Sequence, residues 1–151
     1  MRAMMFAVVV LAAACAEPAG PVVAEPPTAA HSPIAQQIRA DMQRLDRELH
    51  AQGVVVAGIG ETADLGGGLT VRPLAVIEDS RCPNNVACIW AGRLRLRANV
   101  SGEEVELTLG EALSTRRGSV TLAVVSPGPW AEWPTAELGA KPAYKFGFTR
   151  S

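Results

Sequence analysis

The chain has 151 residues, with 14 Lys and Arg against 15 Asp and Glu, a formal net charge of −1 and 48% hydrophobic residues. That length accommodates one hydrophobic core and excludes a second full domain. The charge balance excludes the clustered basic excess that nucleic-acid phosphates demand, so nucleic acid is not an expected partner.

Arg2, the apolar run from Met4 to Leu11 and then Ala12-Ala13-Ala14 have the layout of an export signal. About twelve apolar residues are too few to cross a hydrocarbon core that needs roughly twenty, and no later run is longer, so no transmembrane helix is expected. The small residues before Cys15 resemble the lipobox of bacterial lipoproteins, in which cleavage leaves the cysteine as a lipid-modified N-terminus; Ala12 stands where leucine is usual. The competing reading is an ordinary signal peptide cut nearby, which leaves Cys15 as an exposed thiol in an oxidising compartment, a chemical liability. Lipidation of Cys15 is therefore expected, with residues 1–14 as the signal peptide. The resemblance implies acyl chains sufficient for stable anchoring to a membrane. Ala16 after the cysteine, rather than aspartate, implies the outer membrane, facing the periplasm. The mature chain then carries 13 basic and 15 acidic side chains, a charge of −2.

Residues 15–32 hold Pro18, Pro21, Pro26 and Pro27 among alanines and other small residues, a composition for an extended, semi-rigid tether. Ser32 as N-cap and Pro33 at the first helical position then open an amphipathic helix over 33–52, closed by Gly53. Ile34, Ile38, Met42, Leu45 and Leu49 share one face, with Arg44 and Glu48 paired on the polar side. Such a stripe either serves a partner or packs on the chain's own sheet; the second is the expectation for a surface helix. His31 and His50 have no second metal-type ligand at a recognisable spacing and read as solvated.

The β domain is assigned to residues 53–151. Strands are expected over Val54 to Ile59 and Leu69 to Glu78, the second interrupted by Pro73, which signals an edge or a bulge. Gly66-Gly67-Gly68 between them only superficially resembles a phosphate loop, since neither Lys-Ser nor Lys-Thr follows. In Arg93 to Val100, Leu94, Leu96, Ala98 and Val100 alternate with Arg93, Arg95, Arg97 and Asn99, which puts one face in the core and a basic face outside. A turn at Ser101-Gly102 returns the chain through Val105, Leu107 and Leu109. With a two-residue loop, Leu96 faces Leu107 and Arg97 sits opposite Glu106. The arginine stripe is either an anion-binding surface or a solvated face balanced by Glu103, Glu104 and Glu106; exposed pairs of this kind contribute only about 0.2–1 kcal/mol. Ser119 to Val125 and Ala143 to Thr149 complete about six strands, an all-β antiparallel sandwich or small barrel. Trp130 and Trp133, in the long stretch between the last two strands, either cover one end of the core or form a contact surface; covering is expected.

Cys82 and Cys88 remain as a pair once Cys15 is set aside. In an oxidising compartment they are expected to close a disulfide ring of seven residues, contributing roughly 2.4 kcal/mol in the chain-entropy account. A metal site is the weaker reading, with only two thiols and no nearby histidine. A redox pair lacks the Cys-x-x-Cys spacing. Pro83 and Asn84-Asn85 supply turn chemistry. Trp90 is expected to cover the bridge on its core side, and Asp79 and Arg81 to satisfy loop amides and carbonyls.

The run Glu78-Asp79-Ser80-Arg81-Cys82-Pro83, followed by Cys88-Ile89-Trp90-Ala91-Gly92, resembles the signature of a family of small exported bacterial proteins, many of them lipoproteins, in which the two runs flank a short variable loop. The likeness covers about a tenth of the chain closely and extends loosely to Val125-Ser126-Pro127. The family brings no established activity, so no catalytic residue, cofactor or metal ligand is implied. The β domain holds no histidine and no nucleophile with an evident base, which leaves only carboxylates such as Glu78 and Asp79 for acid–base chemistry. The expected function is non-catalytic: a membrane-anchored envelope module that binds an envelope protein or a cell-wall component, or stiffens a structure. The alternative is an inhibitor that inserts the bridged loop into a hydrolase cleft. The candidate contact residues are Asp79, Arg81, Asn84, Asn85, Trp90, Arg93, Arg95, Trp130 and Trp133.

Overall fold

The computed structural model describes residues 32–151; the expected signal peptide, the lipidated Cys15 and the proline-rich stretch to residue 31 lie outside the described residues. Helix α1 spans Pro33–Leu49. The Ser32 hydroxyl accepts from the Ala35 N–H, and Pro33 occupies a position whose missing N–H has no helical partner to lose. The helix ends three residues earlier than its periodicity predicts, because Ala51 and Val54 already donate into a tight turn, to Glu48 and Ala51 carbonyls. Ala35, Ile38, Leu45 and Leu49 are buried, while Ile34 and Met42 flank the stripe half-buried. This face lies on the chain's own sheet, against the strand at 118–126, and Leu49 sits over Gly147.

Eight strands follow: β1 Val55–Gly58, β2 Ala63–Asp64, β3 Thr70–Asp79, β4 Leu94–Val100, β5 Glu103–Thr108, β6 Ala112–Thr115, β7 Gly118–Ser126 and, after the short helix α2 at Thr135–Leu138, β8 Lys145–Arg150. They form two four-stranded antiparallel sheets, ordered β1-β8-β7-β6 and β2-β3-β4-β5, which stack as a sandwich and do not close into a barrel. The two strands beyond the expected six are β2 and β6. With two and four residues, they are too short to show an alternation.

The core lies between the sheets. Val71, Leu94, Leu96, Ala98 and Leu107 from one meet Val120, Leu122, Val125, Phe146 and Phe148 from the other, all nearly inaccessible to water. Period-two alternation explains the layering: Phe146 and Phe148 point inward, and Gly147 between them faces the helix. Helix α1 thereby adds a third layer. Among the described residues no helix is long and apolar enough to cross a membrane.

The β4–β5 hairpin has the expected register, with Leu96 opposite Leu107 and Arg97 opposite Glu106. Its two-residue turn places Ser101 at φ 52° and Gly102 at φ 98°, the handedness that matches strand twist. The ion pairs, however, run diagonally: Arg95 bonds Glu106, and Arg97 approaches Glu104 at 3.7 Å. Diagonal neighbours on a twisted pair lie within reach of long side chains, so directly opposed residues need not pair. Pro73 sits at a bulge, where the register shifts between Pro73 and Ala75. The glycine turn after β2 is clamped by arginines, with Arg117 donating to the Gly68 carbonyl at 3.0 Å and Arg150 to that of Gly66.

Candidate functional site

Residues 80–93 connect β3 to β4 and stand beyond the end of the sheet. The two strands stay paired a little further into the loop: Ser80 donates from its backbone to the Arg93 carbonyl at 2.9 Å, and Cys82 to that of Ala91 at 3.0 Å. Gly92 makes the approach feasible. It lies at φ 65°, and a Cβ there would overlap the Ser80 carbonyl. Cys82 and Cys88 are joined by a disulfide with their Cα atoms 5.9 Å apart, as the cysteine count predicts. The Val86 N–H closes a turn onto the Pro83 carbonyl at 3.0 Å, next to the asparagine pair.

The base of the loop is tied to three other elements. Arg81 forms a two-pronged pair with Asp79, both bonds 2.8 Å, and also donates to the Pro127 carbonyl at 3.3 Å. Tyr144, just before β8, donates its hydroxyl to Asp79 at 2.7 Å. The Asn84 N–H donates to the Pro129 carbonyl at 2.8 Å, and Asn85 accepts from the Ala131 N–H at 3.2 Å. Asp41 of α1 accepts from the Asn84 amide and the Trp130 indole N–H, each at 3.1 Å, while also pairing with Arg44. A side chain at Gly128 would overlap the Asp41 carboxylate, so the proline-rich segment after β7 passes close under the helix.

Electrostatics set the role of the carboxylates here. Burial pushes the Asp79 carboxyl up, but Arg81 and the Tyr144 hydroxyl outweigh it and hold the group below its usual range. The Ser80 hydroxyl and Arg93 hold Glu78 below its range as well, with Arg95 contributing at 3.4 Å. Burial, then the Asp79 contact, raises Tyr144. Asp79 and Glu78 are therefore ionised and committed to cationic partners, which is the opposite of the tuning that makes a carboxyl a general acid or base near neutral pH.

Trp90 does not lie where the sequence reading puts it. Pro127, Pro129 and Ala131 bond the base of the loop, the core begins only at Leu94, and the indole of Trp90 stands in water, 82% exposed. Ile89 beside it is 93% exposed and Val86 47%. Trp130 and Trp133 also depart from expectation: neither packs on the inter-sheet core. Trp130 joins the helix to the loop, and Trp133 donates to the Gly139 carbonyl at 2.9 Å. Of the predicted contact residues, Asp79 and Arg81 brace the loop base with largely covered side chains, Asn84 and Asn85 each bond to it while staying exposed, and Arg93 and Arg95 pair with Glu78. Balance of the arginine stripe comes from Glu78, Glu104 and Glu106; no ion pair to Glu103 forms among the described residues.

Sequence reading misses Ile89 as a surface residue and Asp41 and Tyr144 as braces. An uncharged run around Trp90 was a signal for the first; nothing local marks the other two, which act across 43 and 65 residues. At the opposite end of β4, an open groove of about 620 Å³ is lined by Val105, Leu113, Arg116 and Glu103 among others. Among the described residues no group of three His, Cys, Asp or Glu side chains converges as a metal site would need. No family model, curated protein or solved structure matches the chain.

Proposed function

We propose that the protein is a non-catalytic contact module of the bacterial envelope, anchored in the outer membrane through lipid on Cys15 and making contact through the bridged loop. One observation carries this reading: Ile89 and Trp90 are 93% and 82% exposed on a loop that a disulfide and three neighbouring elements hold in place. Large apolar groups left in water and a rigid mount together favour binding, because little conformational entropy remains to be lost when a partner covers them. Tryptophan is also the residue type most enriched among energetic anchors of interfaces. The commitment of Glu78 and Asp79 to arginines supports a module without acid–base chemistry.

The same rigid presentation favours the second reading, insertion into the cleft of a hydrolase. A photo-crosslinking residue at Ala87, used in intact cells, tests the contact reading. Adducts should form from that position and vanish when Trp90→Ala is added. Equal adducts from a control position at Glu103, at the other end of β4, or recovery of the protein alone, would overturn the assignment. Loss of hydrolase inhibition on alanine replacement of Asn84 to Ala87 would favour the inhibitor instead.

A further inference from the structure

We infer that the bridged loop is a second, shallow membrane contact, placing Ile89 and Trp90 in the interfacial layer of the bilayer. The inference rests on the contact-module reading and names what the loop meets. From Cys82 to Gly92, eleven consecutive residues carry no charged side chain. Val86, Ile89 and Trp90 form the exposed apolar part of that run.

The two asparagines of the loop each make one side-chain bond at its base. Asn84 bonds Asp41, and Asn85 accepts from the Ala131 backbone. From Val86 to Ala91 the one polar side-chain group is the indole N–H of Trp90, so the tip itself offers an apolar surface with a single hydrogen-bond donor. An apolar body with one hydrogen-bond donor is the chemistry that concentrates tryptophan at headgroup depth, where the ring is buried and the N–H meets oxygen.

Reach is consistent with this. Asp41, which holds the loop, lies nine residues after Ser32, or about 14 Å along the helix axis. Sixteen residues separate Cys15 from Ser32, a contour of at most about 60 Å. With Cys15 acylated, the anchor keeps the tip at a high effective concentration near the bilayer, so a shallow and individually weak insertion suffices.

The test uses the full-length protein reconstituted into vesicles of phosphatidylethanolamine with a minority of phosphatidylglycerol, their acyl chains brominated near the headgroup to quench indole emission at that depth. The wild type should lose part of its emission, that of Trp90, one of three tryptophans. Trp90→Phe should abolish that loss, Ile89→Asp should weaken it, and high salt should leave it unchanged because the tip is uncharged. Equal quenching of wild type and Trp90→Phe, no quenching of either, or quenching removed by salt would overturn the inference. Intact mass on the same samples separates the two readings. Acylated protein whose Trp90 escapes quenching, yet which crosslinks another protein through Ala87, overturns the membrane contact and leaves the contact module standing. Trp90-dependent quenching of protein that carries no acyl mass supports the membrane contact and removes the anchor.

Discussion

Strand β4 is connected in two contrasting ways. Toward β5 the chain turns in two residues, Ser101 and Gly102, both at positive φ, and is held by short bonds within its own sheet: Ser101 to Gly68 and Thr70, and the Gly102 N–H to Asn99. Toward β3 it takes the fourteen residues from Ser80 to Arg93 and adds a disulfide, the Arg81–Asp79–Tyr144 cluster and the Asp41 tie to α1. Joining two antiparallel strands requires only the first solution. Connections of such length are uncommon in small domains unless they carry function, and this one is stiffened at its base while its tip is left apolar and in water.

The contrast can be broken most severely at the glycines. Gly92→Ala should cost at least about 2 kcal/mol, since it combines a left-handed φ with overlap on the Ser80 carbonyl. Gly102→Ala, also at positive φ but with nothing near its Cβ position, should cost only about 1 kcal/mol. Urea midpoints of the two variants decide this; equal losses would mean that the bridged loop is no more demanding than the hairpin.

Reducing the disulfide, or replacing Cys82 and Cys88 by serine together, should lower stability by roughly 2 kcal/mol for a ring of this size. Reductant should lower the urea midpoint of the wild type and leave the double variant unmoved. A fully reducible protein with no loss of stability would show that the Asp79 and Asp41 ties hold the loop by themselves.

The acid dependence of the base is smaller and has a definite sign. Because Arg81 and Tyr144 hold the folded Asp79 carboxyl below its unfolded range, its contribution is complete above that range and is lost as pH falls through the lower, folded value. Asp79→Asn should therefore be less stable than wild type at neutral pH, and the gap should narrow on acidification. A gap independent of pH would mean that the Asp79 charge contributes nothing.

At the tip the expected stability effects are smallest. Ile89→Asp and Trp90→Ala should stay within about 0.5 kcal/mol of wild type, because both side chains are already in water. A larger loss would place Trp90 among the loop's supports and weaken the division between base and tip.

Much of the sandwich was legible because β4 and β5 alternate cleanly and a two-residue Ser-Gly turn fixes their register. The helix was legible for the same reason at period 3.6, with Ser32 and Pro33 marking its start. β2 and β6 were not, since edge strands this short are defined by their neighbours' hydrogen bonds rather than by a pattern of their own. Within the site, the cysteine pairing followed from residue count and compartment, whereas the direction of Trp90 did not.

Local sequence thus determined which segments extend or coil, which faces are apolar and which cysteines pair, because periodicity and turn chemistry act over a few residues. Tertiary structure decided the rest. Pro127, Pro129 and Ala131 bond the base of the bridged loop, Asp41 and Tyr144 arrive from distant parts of the chain to fix it, and Ile89 and Trp90, beyond these ties, are left in water.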